Sequence, residues 1–207
     1  DLNIVSVFEA VGQFSAGKMS EEDFCQIERR AIPGPGSCGG MYTANTMSSA
    51  FEALGMSLPE NAAMPAADTR RNRLAQLSGR RIVEMVKEDM RMSKILTREA
   101  FENAIRTNAA IGGATNAVIH LIAIAGRMGI KLNLDDWDRL GAEVPCLLNL
   151  QPSGKYLMED FYYAGGLPAI LREIKPILHL GAITANGKTL GENIENAPCY
   201  NRDVIKT

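Results

Sequence analysis

The 207-residue sequence is poor in aromatic residues (6%), with one Trp, two His and four Cys. Cys25, Cys38, Cys146 and Cys199 lie far apart, with no C-x-x-C pair and no His at zinc-finger spacing, so a self-contained metal knuckle is excluded. Four Cys could make two disulfides, but an intracellular reading leaves them as thiols. Charge of one sign is also lacking. The 22 basic and 24 acidic residues give a net charge of -2, which argues against a binder of nucleic-acid phosphates. No apolar run is long enough to cross a bilayer, since Ala117 to Ala125 is interrupted by His120. Asp1-Leu2-Asn3 has no basic region before an apolar stretch, so no signal peptide is expected and the cytoplasm is the default location. What remains is ordinary. A 46% hydrophobic content with 19 Gly and 9 Pro excludes disordered and collagen-like chains. The length suits one domain with its own core, or two small ones.

The patterning is mostly helical. Ser20 with Asp23 predicts a helix start, with Phe24, Ile27 and Ala31 on one stripe. Pro33-Gly34-Pro35-Gly36 breaks the chain, and a second helix is expected from about Met41 to Gly55. A longer helix is expected over Asp68 to Met90, with Leu74, Leu77, Ile82, Met85 and Val86 at helical spacing. Thr97 caps the next, which buries Phe101, Ala104 and Ile105. Asn116 to Met128 is apolar almost all round and predicts a buried central helix. Cys146–Leu148 and Ile177–Leu180 read as short strands, and Gln151–Gly154 and Asn186–Gly187 as turns. The expected fold is a helix-rich α/β unit, divided into residues 1–145 and a remainder, 146–207, that packs on it or leads to a further domain.

The most unusual stretch is Ile32 to Asn45, where Cys38 is surrounded by glycines. Glycines let a backbone approach something bulky, and free N–H groups in such a loop can point at an anion. A thiolate just before a helix suits either a nucleophile or one ligand of an iron–sulfur cluster. A tight loop with an incidental cysteine is the structural alternative. Elsewhere, Gly112–Asn116 reads as close helix packing with Thr115 as N-cap, although its N–H groups could hold an anion. His120 and His179 read as hydrogen-bonded core residues. Arg70, Arg71, Arg73, Arg80 and Arg81, followed by Glu84, Glu88 and Asp89, read as a solvated, salt-bridged face, with subunit contact as a second possibility. Asp135, Asp136 and Asp138 after Asn133 mark a helix start rather than a metal site.

Pro33 to Met47 and Glu52 to Pro59 resemble the dihydroxy-acid dehydratase family, which includes sugar-acid (aldonate) and phosphogluconate dehydratases. Thr97–Ile105, Ile111–Leu121, Gln151–Tyr156 and Gly187–Asn193 agree in family order across nearly the whole chain. The resemblance implies an internal piece of a longer enzyme, mostly from its N-terminal α/β domain. Two further cluster cysteines and most Mg²⁺ ligands would come from an earlier segment, and a serine base from a later domain. It implies an iron–sulfur cluster, 2Fe-2S or 4Fe-4S, with Cys38 as one ligand. Cys25, Cys146 and Cys199 match no ligand and read as buried structural thiols. The implied reaction removes a proton from C2 and hydroxide from C3 of a 2,3-dihydroxy acid, giving an enol that becomes a 2-keto acid. Hydroxide leaves poorly without a Lewis acid, and the C2 proton needs a cation on the substrate oxygens.

The Cys38 loop resembles the branched-chain amino-acid biosynthetic members, whereas Gly79–Val86 and Met158–Gly166 lean towards the sugar-acid members, so both substrate classes stay open. The implied enzyme is a homodimer or higher homo-oligomer acting on a small molecule, with no nucleic acid or membrane partner. The isolated segment is expected to be inactive. The alternative is a non-enzymatic helical interaction module with a structural cysteine loop. A cysteine-nucleophile enzyme ranks last, because no base is identifiable near Cys38.

Overall fold

The computed structural model describes residues 2–33, 36 and 38–207. Among these, the regular structure is helical: α1 (Ile4–Ser15), α2 (Glu21–Arg30), α3 (Thr43–Ala53), α4 (Thr69–Lys87), α5 (Met92–Ile95), α6 (Arg98–Ala110), α7 (Asn116–Arg127), α8 (Leu134–Gly141), α9 (Met158–Ala164), α10 (Gly166–Glu173) and α11 (Leu190–Ile194). Gly34 and Pro35 of the expected Pro-Gly break lie outside the described residues, as does Ser37 beside Cys38.

Side chains that satisfy otherwise orphaned N–H groups set several helix starts. Ser20 accepts from the Asp23 N–H, Asp68 from Arg70, Thr97 from Ala100 and Asn133 from Asp136, as the sequence predicts. The second expected helix starts slightly later, at Thr43, and ends before Gly55, whose φ of 80° is easy only for glycine. Not anticipated was α1, capped by Asn3 with Ser6 reaching back, which forms a hairpin with α2 through stacked Phe14 and Phe24 rings 4.7 Å apart.

Helix α6 is the hub. Phe101, Ala104 and Ile105 are fully buried, and α3, α7, α8 and α10 pack around it. The core is one continuous cluster running from Met41 to Ile205, with Phe161, Leu167, Ile170 and Leu171 on its far side. Fully burying each such side chain contributes about 1.5–3 kcal/mol. Buried polar groups are tied into this frame. Asn103 donates to the His179 carbonyl (3.0 Å) and accepts from its N–H (2.7 Å), and Thr46 Oγ1 accepts from the Ala114 N–H (2.9 Å).

Several readings are corrected. The helix-rich expectation holds, but no sheet forms among the described residues. The runs read as strands make at most isolated bridges: Leu148 pairs with Ile205 and Leu150 with Tyr156, while Lys175–Ile177 is a short 3-10 turn. A strand needs a partner along several residues; among the described residues Cys146–Leu148 has one only at Leu148, and Ile177–Leu180 has none. Helix α7 buries only Ala117, Leu121 and Ala125, whereas Ile119 is 64% exposed. His120 is therefore exposed rather than in the core, and Thr115 makes no side-chain cap bond. Of the apolar stripe of α4, Leu77, Ile82 and Val86 are exposed and Leu74 and Met85 half-buried. No helix is long and apolar enough to cross a membrane among the described residues.

Candidate functional site

Cys38 is half-buried on the wall of a cleft of about 660 Å³, within the range of small-molecule sites. The cleft is closed by Leu2 and Asn3, the Ala62–Ala67 loop, Arg71 of α4, Ser48 and Asn45 of α3, and Leu157–Glu159 at the start of α9. Cys38 reaches it because the loop is clamped by its own chain. The Gly39 carbonyl accepts from the Met158 N–H (2.7 Å) and the Met41 N–H donates to the Gln151 carbonyl (2.6 Å). These contacts explain two of the glycines. A Cβ on Gly40 would lie 2.8 Å from the Tyr42 ring and 3.1 Å from the Gln151 oxygen, and one on Gly39 would lie 3.2 Å from Leu157. The close approach foreseen in the sequence is therefore made by residues 151–158.

The hydrogen-bond donor to sulfur also differs from expectation. Among the described residues the polar neighbours of Cys38 Sγ are the Gly40 carbonyl and the Asn45 side-chain amide, each at 3.7 Å, rather than backbone N–H groups of a nest. No His, Asp or Glu is among these partners, which leaves a nucleophile without its base. Cys25 and Cys199 are half-buried and Cys146 is exposed, so none is a fully buried structural thiol. No group of three His, Cys, Asp or Glu that could hold a metal ion occurs among the described residues. A metal centre here would draw one thiol from this chain.

The Ala62–Met64 part of the wall is held by Glu52 and Ser48, which carry no chemical signal in the sequence, and by Arg71, read there as part of a solvated face. The Glu52 carboxylate accepts from the Glu60 N–H (2.9 Å) and the Ala62 N–H (2.8 Å), and Ser48 Oγ donates to the Ala62 carbonyl (3.2 Å). Arg71 donates to the Met64 carbonyl from α4. Glu52 is only 5% exposed. Burial pushes its carboxyl up to about 7, with the nearby Glu60 charge adding to the rise and the two N–H groups opposing it. Arg70 follows the solvated reading, pairing with Asp68, whereas Arg81 pairs with Glu84 and Glu88 but is largely covered and donates to the Ala185 carbonyl.

The charged cluster on α6 and α8 is structural. Arg98 bridges Glu102 and Asp136, Arg139 joins Asp136, and His179 meets Glu102 at 2.8 Å. The Arg98 guanidinium, helped by the Asn133 N–H and Arg139, holds the Asp136 carboxyl well below the usual range. Asp136 thus caps α8 and pairs, as its position after Asn133 suggests. A second cleft of about 660 Å³, lined by Arg172, Lys175, Cys199 and Arg202, shares no residue with that of Cys38.

Residues 1–193 match the family described as dihydroxy-acid/6-phosphogluconate dehydratase N-terminal. The chain belongs to this family. It is 52% identical to a dihydroxy-acid dehydratase of Leptothrix cholodnii over all of this chain and 38% of that protein. It is 56% identical to an L-arabinonate dehydratase of Rhizobium leguminosarum over 92% of this chain and 33% of that protein. The chain thus spans little more than a third of the length of the relatives it matches. Within the dehydratase family frame, the Cys38 loop and the Gln151–Tyr156 block that clamps it are neighbours in space.

Proposed function

We propose that this chain is part of an iron–sulfur hydro-lyase that converts a 2,3-dihydroxy carboxylic acid to a 2-keto acid, with Cys38 as its one ligand to the cluster. The observation that carries this reading is the half-buried Cys38 thiol on the wall of a ligand-sized cleft built from family-matching segments. The residues present fit one ligand of such a group: a thiol facing open volume, an amide donor beside it, and a loop too crowded at Gly40 for any side chain. When bound, a cluster with one open iron position supplies a Lewis acid for the departing hydroxide. The chain's own residues hold the sulfur, through the 151–158 clamp, and shape the opposing wall, through Glu52, Ser48 and Arg71.

In this reading residues 1–145 carry the ligand and residues 146–207 complete the unit and lead towards a further domain. Mg²⁺, bound mostly by residues elsewhere in the enzyme, neutralises charge on the substrate carboxylate and 2-hydroxyl. The enzyme works as a homo-oligomer in the cytoplasm. Relatives named dihydroxy-acid dehydratase and L-arabinonate dehydratase match at similar identity, 52% and 56%, which supports both substrate classes. Anaerobically reconstituted full-length protein, offered a branched 2,3-dihydroxy acid and an aldonate in parallel, should form 2-keto acid from at least one; none from either would refute the assignment. The isolated 207-residue chain should show no turnover, and measurable turnover would refute the division of ligands proposed here.

A further inference from the structure

Asn45 is the third residue of α3, the position from which a side chain can reach back over the helix start. Its Nδ2 lies 2.8 Å from the Cys38 carbonyl oxygen, 2.6 Å from the Gly40 carbonyl oxygen and 3.7 Å from Cys38 Sγ. One amide therefore meets two carbonyls that converge beside the sulfur. An amide NH₂ has two hydrogens, enough for both carbonyls, with the sulfur within shared reach of the same donor. Without that donor, two carbonyl dipoles would point their negative ends, unopposed, into the space beside the sulfur.

We propose that Asn45 is a positioning residue for the metal-ligating sulfur: it fixes the Cys38–Gly40 turn and donates an N–H towards Sγ. The inference rests on the reading of Cys38 as a cluster ligand. Hydrogen bonds to ligating sulfur stabilise the more negative, reduced state of a cluster, and residues that orient a ligand commonly change metal affinity 10- to 100-fold. The position demands a donor. Asp has the same shape but offers only acceptor oxygens at neutral pH, whereas Ala removes the group without adding charge.

The test uses full-length protein loaded anaerobically, comparing wild type with Cys38→Ala, Asn45→Ala and Asn45→Asp. It reads the rate of iron loss to a chelator and the reduction potential of the loaded fraction. Both Asn45 variants should lose iron about 10-fold faster or more, with Asn45→Asp the faster, and both should have a lower potential. Faster loss with an unmoved potential would make Asn45 a loop brace and overturn donation to sulfur. Wild-type rate and potential in Asn45→Ala would overturn the proposal outright, even if Asn45→Asp failed to fold. Loss of the visible absorption in Cys38→Ala, with wild-type iron-loss rate and potential in both Asn45 variants, would leave the ligand reading standing and sink only the role of Asn45. An unchanged spectrum in Cys38→Ala would sink both.

Discussion

Replacing Glu52 by Gln should abolish a pH dependence of stability that runs opposite to that of an ordinary ion-paired carboxylate. Glu52 is 5% exposed, and its carboxyl titrates at about 7 in the folded chain against an ordinary 4.5, chiefly because burial disfavours the charge. Below 4.5 both folded and unfolded chains hold the proton. Between 4.5 and 7 the unfolded chain releases it while the folded chain keeps it, so stability falls as pH rises through that window, then levels off. At about 1.4 kcal/mol per pH unit, the shift corresponds to roughly 3 kcal/mol. Gln keeps the shape and cannot ionise. Urea unfolding of wild type and Glu52→Gln, followed by circular dichroism at pH 4.5 to 8, should therefore show a stability difference that drifts by about 3 kcal/mol in favour of the variant as pH rises. Contributions of all other groups cancel in the comparison. Curves that stay parallel across this range would refute the reasoning, and with it the view that a buried carboxylate holds the Glu60–Ala62 wall of the cleft.

Asp136→Ala should cost about 2 kcal/mol at neutral pH, because it removes one of the two carboxylates that Arg98 bridges and the nearer acceptor of Arg139. The Asp136 carboxyl is lowered from 3.8 by its partners, so its contribution is present above that value and is lost on acidification below it; urea unfolding should show the gap between wild type and variant closing there. Gly40→Ala should lower the iron content of the full-length protein and its melting temperature, since the added carbon meets Tyr42 at 2.8 Å. Gly79→Ala, inside α4 with nothing within 4 Å of its added carbon, should instead leave iron content unchanged and raise stability by up to about 1 kcal/mol.

Local chemistry was legible in the sequence. Ser20, Asp68, Thr97 and Asn133 were readable as caps because a cap is decided within a few residues. Burial was less so. The nearly continuous apolar surface of α7 suggested full burial, but a pattern gives the helix and not what covers it; Ile119 faces outward here. The short runs around Leu148 and Leu178 had strand composition, yet pairing is set by distant residues such as Ile205. At the site, the glycines around Cys38 were the visible signal. Asn45 carries no chemical signal of its own in the motif, because donation to Cys38 and Gly40 depends on how the loop folds back over α3. Glu52 drew no chemical notice because its burial is a tertiary fact. The Thr189–Glu192 capping box of α11 was readable and was overlooked.

We propose that Cys38, and no other cysteine of this chain, holds iron. It is tested most directly by iron content and visible absorption of full-length protein purified without oxygen, as wild type and with Cys25, Cys38, Cys146 or Cys199 changed singly to Ala. Wild type and the Cys25, Cys146 and Cys199 variants should be brown, with absorption bleached by dithionite, while Cys38→Ala should be colourless with its iron lost. Full iron and unchanged absorption in Cys38→Ala would contradict the account.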